Sequence, residues 1–459
     1  MVKCISPADG SVFAERIEAS ANEIETALNK AHEAQKKWRK LSIAERAKYC
    51  TAVVDAMLSM KDEIAVELAT SMGRPIRFGA GEVGGFEERA RYMISIADQA
   101  LAPVDPGKKE GFERSIERAP LGVVFTIAPW NFPFMTAVNS IIPALMAGNV
   151  SLLKHASSTL IIGERFEKAF AAANVPDGVF QHLVLSHEQT SEIIASGKVD
   201  MVCFTGSVPA SHQIEKAAAS QFIPVGLELG GKDPAYVRAD ADVAFAIENI
   251  ADGAFFNSGQ SCCGIERIYV HESVWDEFVP GFVELVKGYV LGNPHDQATT
   301  LGPLIKASAA DFVRKQIDDA VAAGATAHIE TSDFAMDAPG TPYLAPQVLT
   351  NVDHSMSVMM DESFGPVVGI MKVSDDEEAI KLMNDSPFGL TASIWTQDVA
   401  AARAIGDDLE TGTVFMNRCD YLDPALAWTG CKDTGRGCTL SAIGYEALTR
   451  PKSFHLRLG

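Results

Sequence analysis

Apolar residues recur at helical spacing through the first hundred residues of the chain. Ile24, Leu28 and Ala31, for example, fall on one face of a helix. The same spacing of three or four residues predicts helices over 22–38, 43–60, 62–71 and 85–104.

Short apolar runs separated by segments of helical length follow from residue 123 onward. The first runs are 123–127, 151–153 and 201–204. A second series starts after 228–231, with a helix at 243–254, a strand at 267–270 and a last strand at 414–416. Strands that alternate with helices form right-handed crossovers and parallel sheets. We therefore predict an α/β fold of two doubly wound parallel-sheet domains that meet near residues 228–232.

Two further segments alternate like strands but have no neighbouring crossover helix. These segments, 114–118 and 453–457, are predicted to be edge strands that pair with another subunit. The resulting division is a first domain at 1–104 and 121–230, a second at 231–440, and a small β oligomerisation element at 105–120 and 441–459. Closed symmetric assemblies dominate among oligomers, so we expect a homodimer or homotetramer.

The composition and net charge of the chain indicate which classes of molecule it is expected to bind. The chain of 459 residues has 39 Lys and Arg against 60 Asp and Glu, a net charge of −21. Such a field repels phosphate backbones and anionic lipids, so neither nucleic acid nor membrane is expected as a partner. The eight cysteines contain no C-x-x-C spacing, which favours reduced thiols in the cytoplasm and no metal site. No targeting segment is recognised.

One glycine-rich stretch matches a nucleotide-binding pattern but lacks its context. Residues 79–84 read G-x-G-x-x-G, yet the preceding residues 73–78 resemble a polar turn rather than a strand. We interpret the stretch as the small-residue start of a helix.

Cys262 stands in a glycine-flanked loop between a predicted helix and a strand. Gly259 and Gly264 permit close approach of another molecule, and a thiol on such a loop suits a nucleophile. The alternative is that Cys262 is a buried filler.

Glu228 and Asn131 are two further candidates, each at the end of an apolar strand. Burial would raise the pKa of Glu228, which suits a general base, although a salt bridge with Lys232 is an alternative. Pro129 and Pro133 would hold Asn131 rigidly as an oxyanion donor, unless it only stabilises a turn. Residues 204–207 would attract phosphate at a helix start, or supply an ordinary cap.

In combination these segments resemble the aldehyde dehydrogenase superfamily over nearly the whole chain. The matching motifs are 129–133, Lys154, 204–207, 227–232, 256–262, 362–366 and 432–436. The resemblance implies two Rossmann-like domains, with NAD(P) bound by 1–104 and 121–230 and catalysis assigned to 231–440.

The resemblance also implies a mechanism. Cys262 would add to the aldehyde carbon, and Asn131 with the Cys262 N–H would stabilise the oxyanion. Hydride transfer to the nicotinamide would leave a thioester, which water activated by Glu228 would hydrolyse. Some acylating relatives that use coenzyme A lack this glutamate, so its presence implies a non-acylating enzyme.

The cofactor implied by the resemblance is NAD or NADP. Lys154 would bind the adenosine ribose, Ser207 the pyrophosphate and Glu362 the nicotinamide ribose. The full set of implied residues is Ile127, Trp130, Lys154, Ser157, Gly206, Ser207, Glu362 and Phe364. Many NAD-preferring relatives carry a glutamate where this chain has Ser157. Because that charge is missing, we predict that NADP is at least tolerated.

The chain also departs from the family near its C-terminus. The usual Gly-Arg-Glu reads Gly-Arg-Gly at 435–437, so the proton-relay role sometimes given to that glutamate has no obvious bearer. Cys263 is not at the nucleophile position, and we interpret it as structural, with a disulfide to Cys262 as the alternative.

The substrate is the least determined feature. By motif position the aldehyde tunnel would include Met135, Thr136, Asn139, Phe256, Ser261 and Trp428, which suggests an apolar or medium-chain aldehyde. Arg418, in a loop that usually edges the tunnel, would instead bind a carboxylate and favour a semialdehyde, unless Asp420 and Asp423 neutralise it.

Two other function classes compete with this interpretation. A cofactor-free thiol hydrolase would pair Cys262 with a histidine, of which His155 and His212 are nearest to the motifs. A non-catalytic protein on a dehydrogenase fold is the third class.

Overall fold

The computed structural model describes all residues from 1 to 459. The strands are β1 (Val2–Ile5), β2 (Val12–Arg16), β3 (Phe112–Pro120), β4 (Val123–Ile127), β5 (Val150–Lys154), β6 (Phe180–His182), β7 (Met201–Thr205), β8 (Val225–Glu228), β9 (Asp233–Val237), β10 (Ile265–His271), β11 (Thr326–Ala327), β12 (Gln347–Thr350), β13 (Val367–Val373), β14 (Phe388–Gly389), β15 (Thr391–Trp395), β16 (Thr413–Met416), β17 (Cys431–Lys432), β18 (Gly435–Arg436) and β19 (Thr449–Arg457). The α-helices are α1 (Ala21–Trp38), α2 (Ile43–Leu58), α3 (Lys61–Met72), α4 (Ile76–Ala100), α5 (Pro133–Met146), α6 (Leu160–Ala172), α7 (His187–Ala195), α8 (Val208–Ala218), α9 (Val243–Phe255), α10 (Trp275–Lys287), α11 (Ala307–Ala322), α12 (Ser357–Met360), α13 (Asp376–Asn384), α14 (Val399–Asp407) and α15 (Ser441–Ala447).

The first sheet has six strands in the order β18-β8-β7-β4-β5-β6. Five of them run parallel, and every residue of β4 and β5 is buried. Strands buried on both faces read as continuous apolar runs, which is why the sequence reveals them. The short β18 pairs antiparallel with β8 and brings Gly435 opposite Glu228.

The second sheet has seven strands in the order β11-β12-β13-β10-β9-β15-β16. All pairings are parallel except that of β11 with β12. Its core is built around β9, β10 and the helices α9 and α10. The predicted α/β fold with two Rossmann-like parallel sheets is confirmed.

The two isolated strands form a ribbon of their own. β3 and β19 pair antiparallel from Thr449 opposite Pro120 to Arg457 opposite Phe112. Both cover the segments predicted as edge strands, and their partner within the chain is each other. The division into domains and an oligomerisation element stays a prediction.

Helix α4 begins at Ile76, earlier than the predicted 85, and includes the glycine-rich stretch. A Cβ on Gly79 would lie 2.6 Å from the Cβ of Ala65, and one on Gly85 would lie 2.1 Å from Met135 Sδ. The glycines therefore let α4 pack closely on α3 and α5. No helix of the protein is both long enough and apolar enough to cross a membrane.

Candidate active site

The loop that carries Cys262 begins with an unusual backbone turn at the end of α9. Asn257, Ser258 and Gly259 have φ values of 54°, 56° and 72°, all in the left-handed region. Two consecutive non-glycine residues in this region are strained and persist only where their surroundings hold them. The chain reverses here, so that Cys262 is presented at the turn before β10.

Side-chain hydrogen bonds hold this turn in place. Asn257 Nδ2 donates to Gln260 O at 3.1 Å, and Ser258 Oγ donates to Gly302 O at 2.8 Å. The amide of Gln260 accepts from Ile305 N at 2.8 Å and donates to Asn257 O at 3.1 Å. Because four contacts fix the turn, Cys262 is carried on a rigid support.

Cys262 lies where two cavities meet. One cavity of about 340 Å³ lies beside α4 and α5, and another of about 260 Å³ lies beside the start of α8. The residues that line both are Thr136, Thr205, Glu228 and Cys262. A thiol reached from two sides can meet one reactant in each cavity. Glu228 is the one carboxylate shared by both cavities.

Asn131 is buried in the wall of the second cavity and is hydrogen-bonded to the cysteine loop. Its Nδ2 donates to Gln260 O at 3.2 Å, and its backbone oxygen accepts from Arg74 Nη2 at 2.5 Å. Arg74 also forms a fully buried ion pair with Glu82, which accepts hydrogen bonds from the first amides of α5. Asn131 thus stands at a fixed position, as an oxyanion donor requires.

Glu228 ends β8 with both carboxylate oxygens hydrogen-bonded. Thr439 Oγ1 donates to Oε1 at 2.6 Å, and Thr205 Oγ1 donates to Oε2 at 3.3 Å. Burial raises the pKa of Glu228 above its ordinary value, although both hydrogen bonds oppose the rise. The alternative salt bridge with Lys232 is wrong, because Lys232 Nζ pairs with Glu266 at 2.5 Å.

Cys263 lies beside Cys262 in the wall of the first cavity and is hydrogen-bonded to Asp420. Its Sγ donates to Asp420 Oδ1 at 3.0 Å, and Ser261 Oγ donates to the same oxygen at 2.9 Å. A hydrogen bond with Cys262 and burial raise the pKa of Cys263 well above its usual range. Cys263 therefore stays a protonated thiol.

The second cavity is lined by groups suited to the nicotinamide end of a dinucleotide. Gly206 and Ser207 line it at the start of α8, and Trp130 meets Phe364 edge-on at 5.7 Å across it. Glu362 also lines it, and a Cβ on Gly230 would lie 2.1 Å from the Glu362 carboxylate. Burial and the charge of Glu266 raise the pKa of Glu362 to about 8. The missing side chain of Gly230 therefore leaves room for the Glu362 carboxylate at the edge of this cavity.

Lys154, Ile127 and Ser157 lie away from that cavity, at the carboxyl ends of β4 and β5. Ile127 is paired with Lys154 in the sheet, and it lines a third cavity behind Glu228. Lys154 is 5% exposed but makes neither an ion pair nor a side-chain hydrogen bond, and burial lowers its pKa. A buried ammonium without a partner fits a polar ligand such as a ribose or phosphate. Ser157 is exposed just beyond it and brings no negative charge.

The first cavity contains most of the predicted tunnel residues. Those lining it are Met135, Thr136, Asn139, Phe256, Ser261 and Trp428. Arg418 is not among them, which corrects its predicted position. Its guanidinium stacks on the Tyr421 ring at 3.6 Å and is exposed to solvent. The only cation lining this cavity is Arg89 of α4.

Comparison with known proteins agrees with this geometry. A sequence model described as the aldehyde dehydrogenase family matches residues 1–454. The chain belongs to the aldehyde dehydrogenase family.

The similar aldehyde dehydrogenases match over almost their full lengths. A succinate-semialdehyde dehydrogenase (NADP+) of Mycobacterium avium is 35% identical over 455 residues, 98% of this chain and 96% of that protein. The structure of succinic semialdehyde dehydrogenase from Streptococcus pyogenes in complex with NADP+ covers 100% of both chains at 29% identity, with a TM-score of 0.94. A lactaldehyde dehydrogenase structure also has a TM-score of 0.94, at 30% identity over 99% of this chain and 95% of that one. Since these names include more than one aldehyde, the fold alone does not select the substrate.

The predicted NAD(P)-dependent oxidation of an aldehyde is confirmed by these matches. The thiol hydrolase alternative is not favoured, since no histidine lines either cavity of this aldehyde dehydrogenase. His155 is buried and bonded to Thr159, and burial lowers its pKa to about 3. His212 is exposed on α8.

Several residues that contribute to the site of this aldehyde dehydrogenase were not predicted from the sequence. Arg74 and Arg89 support or line the site but belong to no recognised motif, and Glu82 lies in the stretch 79–84, where no role was assigned to it. Glu82 and Arg89 fall on the apolar stripe of α4, and a charge on such a stripe is the signal that marks them. Thr439 carries no comparable signal, because only the pairing of β18 with β8 brings its segment to Glu228.

Proposed function

We propose that this aldehyde dehydrogenase oxidises its substrate through a thioester on Cys262. The observation that supports this most directly is the position of Cys262 where the two cavities meet, with Glu228 lining both. The sulfur adds to the aldehyde carbon, and the resulting oxyanion receives hydrogen bonds from Asn131 Nδ2 and the Cys262 N–H. The thiol loses its proton to water in the cavity before the sulfur adds, so Glu228 remains unprotonated for the hydrolytic step.

When bound, the nicotinamide accepts the hydride that leaves the former aldehyde carbon. Glu228 then takes a proton from water, whose oxygen attacks the thioester carbonyl. The carbon–sulfur bond breaks, the carboxylic acid leaves and Cys262 regains its thiolate. The raised pKa of Glu228 makes its carboxylate a stronger base than that of an ordinary glutamate.

We propose that the base loses its proton through the third cavity, which lies behind Glu228. This cavity of about 130 Å³ is lined by hydroxyl groups of Thr126, Ser140 and Thr439 as well as by Glu228. Such a volume accommodates more than one water molecule. It offers a route to solvent in place of the relay glutamate that the sequence lacks.

We assign the cofactor to the groove from Lys154 to Glu362 and propose that NADP is preferred. Ser207 would bind the pyrophosphate, Glu362 the nicotinamide ribose, and Trp130, Gly206 and Phe364 would flank them. Ile127 would contact the adenosine side, next to Lys154. Support comes from the unpartnered Lys154 ammonium, from the absence of a carboxylate at Ser157 and from the NADP+ named for the two relatives.

We further propose that the aldehyde carries a carboxylate, as the names of those two relatives suggest. Met135, Phe256, Ser261 and Trp428 would form the walls around its carbon chain. Arg418 has no part in this proposal.

Assembly and location complete the proposal. The β3–β19 ribbon exposes Phe454 and Leu456, and we propose that it joins subunits in a homodimer or homotetramer. We propose the cytoplasm as the working compartment because all eight cysteines are free thiols, including Cys262.

Steady-state formation of NADPH from a panel of aldehydes tests the proposed function. We expect turnover by the wild type and loss of at least about a thousandfold in kcat for Cys262→Ala, because the nucleophile is gone. Retained turnover in Cys262→Ala, or no NADPH or NADH with any aldehyde, contradicts the proposal.

A further inference from the structure

Arg89 places a buried positive charge in the wall of the cavity that leads to Cys262. It lies on α4, 8% exposed, among side chains that otherwise pack into the core. No carboxylate lies within ion-pair distance of its guanidinium, in contrast to Arg74 on the same side of the site, which pairs with Glu82. A buried arginine without an anionic partner is costly to desolvate and calls for an explanation.

The hydrogen bonds of Arg89 use only one of its nitrogens. Nη1 donates to Met135 O at 2.7 Å and to Asn139 Oδ1 at 3.4 Å. Nε and Nη2 make no hydrogen bond within the protein, and Arg89 lines the cavity that contains Cys262. The N–H groups of Nε and Nη2 form one edge of the guanidinium, and that edge matches the two oxygens of a carboxylate.

Asn139 provides a second unused donor beside Arg89. Its side chain is 2% exposed, and Nδ2 has no partner at hydrogen-bond distance, although the Asn139 side chain lies close enough to Glu228 to lower the pKa of that carboxyl. Because Asn139 Oδ1 accepts from Arg89, the amide group is oriented with its nitrogen away from the guanidinium. Both residues line the cavity that contains Cys262.

None of the acidic residues that line this cavity forms an ion pair with Arg89, although Glu228 attracts it from a longer distance. Glu88 accepts a hydrogen bond from Tyr421 at 2.6 Å, and Asp420 accepts from Ser261 and Cys263. Glu228 accepts hydrogen bonds from Thr439 and Thr205, and burial raises the pKa of Asp252, Asp420 and Glu228. Arg89 therefore remains the cation available to a substrate.

We propose that Arg89 determines specificity by binding, through its Nε and Nη2 edge, the carboxylate of an aldehyde whose carbonyl reaches Cys262. This inference rests on the proposed function and deepens it by naming the residue that selects the substrate. The substrate class is an aliphatic aldehyde with a carboxylate at the opposite end. The carboxylate-binding role that the sequence suggested for Arg418 is thus proposed for Arg89, on helix α4.

The test compares two aldehydes of equal length in the wild type. Succinate semialdehyde and butanal share a four-carbon chain, and only the first has a carboxylate. With NADP+ as cofactor we expect kcat/KM to favour succinate semialdehyde by about a hundredfold or more, as two charge-assisted hydrogen bonds permit. A wild-type ratio near one overturns the proposal.

Substitution of Arg89 then locates the effect. In Arg89→Met we expect the ratio of the two kcat/KM values to fall at least about thirtyfold, mainly through KM for succinate semialdehyde. Arg89→Lys keeps the positive charge but loses the pair of N–H groups that can bind both carboxylate oxygens. Its ratio of kcat/KM values therefore lies between those of the wild type and Arg89→Met. Arg418→Ala is the matched control, and its ratio equals that of the wild type.

Other results overturn the proposal in recognisable ways. If Arg89→Met lowers kcat/KM for both aldehydes by the same factor, Arg89 acts on Glu228 through Asn139 and not on the substrate. If the enzyme prefers glyceraldehyde 3-phosphate to succinate semialdehyde, the Nε and Nη2 edge of Arg89 binds a phosphate and not a carboxylate, which also overturns the proposal. If the wild type forms no NADPH or NADH with any of these aldehydes, the proposed function itself fails.

A binding measurement serves if Arg89→Met does not fold. Succinate is expected to compete with butanal in the wild type, whereas neutral succinamide is not. Arg89→Lys weakens the inhibition by succinate. Equal inhibition by both compounds, or by neither, overturns the proposal.

Discussion

Removing the Thr439 hydroxyl is expected to shift the pH dependence of the enzyme. Thr439 donates to Glu228 Oε1 at 2.6 Å, a short bond to an oxygen that is negatively charged when the base is active. A hydrogen bond to a charged group contributes about 1.5–3 kcal/mol, and 1.36 kcal/mol corresponds to one pKa unit. Thr439 also pairs with Trp428 through its backbone, and Thr439→Val keeps both that pairing and the branched shape. The pKa of Glu228 then rises by about 1–2 units.

The sign of the effect follows from the base's ionisation. The bond stabilises the carboxylate, so its loss favours the protonated form and moves the acidic limb of the kcat profile to higher pH. At a pH well below the limb kcat falls about 10–100-fold, and well above it the two enzymes converge.

Thr205→Val is the matched comparison for this prediction. Thr205 contacts the other oxygen of Glu228 at 3.3 Å, a longer and weaker bond, so its removal shifts the limb less than that of Thr439. The measurement is kcat against pH for all three proteins with saturating aldehyde and cofactor. An unmoved limb in Thr439→Val, or a shift to lower pH, refutes the reasoning.

Three further predictions concern the cofactor and the support of the site. Ser157→Glu introduces a charge near the proposed 2′-phosphate position and is expected to lower kcat/KM for NADP about 10–100-fold relative to NAD; an unchanged ratio contradicts the assignment. Glu362 has a pKa raised to about 8, and ribose hydroxyls favour its ionised form. NADP+ binding therefore releases protons below that pH and strengthens as pH rises toward it, which calorimetry in two buffers measures; no proton release argues against a ribose contact. Arg74→Met leaves Glu82 buried and unpaired, so the free energy of unfolding falls by about 3–5 kcal/mol in denaturant titrations, whereas a loss under about 1 kcal/mol contradicts the structural role.

The sheets were predictable because their strands are buried on both faces. β4 and β5 have no exposed residue, so their positions read as uninterrupted apolar runs. Periodicity placed the start of α4 only at residue 85, whereas the stretch 79–84 was correctly interpreted as the small-residue start of a helix because of its glycines. Their purpose is visible only in the packing of Gly79 on Ala65 and of Gly85 on Met135.

The site divides in a similar way. Three catalytic candidates stand in short motifs from which their chemistry could be predicted: Cys262, Glu228 and Asn131. All three lie where the two cavities meet or beside that point. The polar groups around them come from distant segments: Arg89 lies on α4, and Thr439 lies after β18. Long-range packing determines these contacts, so they cannot be predicted from the spacing of residues along the chain.

The misplacement of Arg418 has the same origin. Its loop does border the cavity, since Asp420, Tyr421 and Leu422 line it. The direction of the side chain, however, is decided by stacking on the Tyr421 ring at 3.6 Å. A residue's membership of a loop does not determine which way its side chain points.

Trapping the acyl-enzyme tests the central claim most directly. Glu228→Gln is mixed with aldehyde and NADP+ and followed by NADPH absorbance and intact-protein mass spectrometry, with Cys262→Ala/Glu228→Gln as the control. We predict a burst of one NADPH per active site and a mass increase equal to the acyl group, mapped to Cys262 and absent from the control. A burst without a covalent adduct, or an adduct that persists in the control, contradicts thioester chemistry at Cys262.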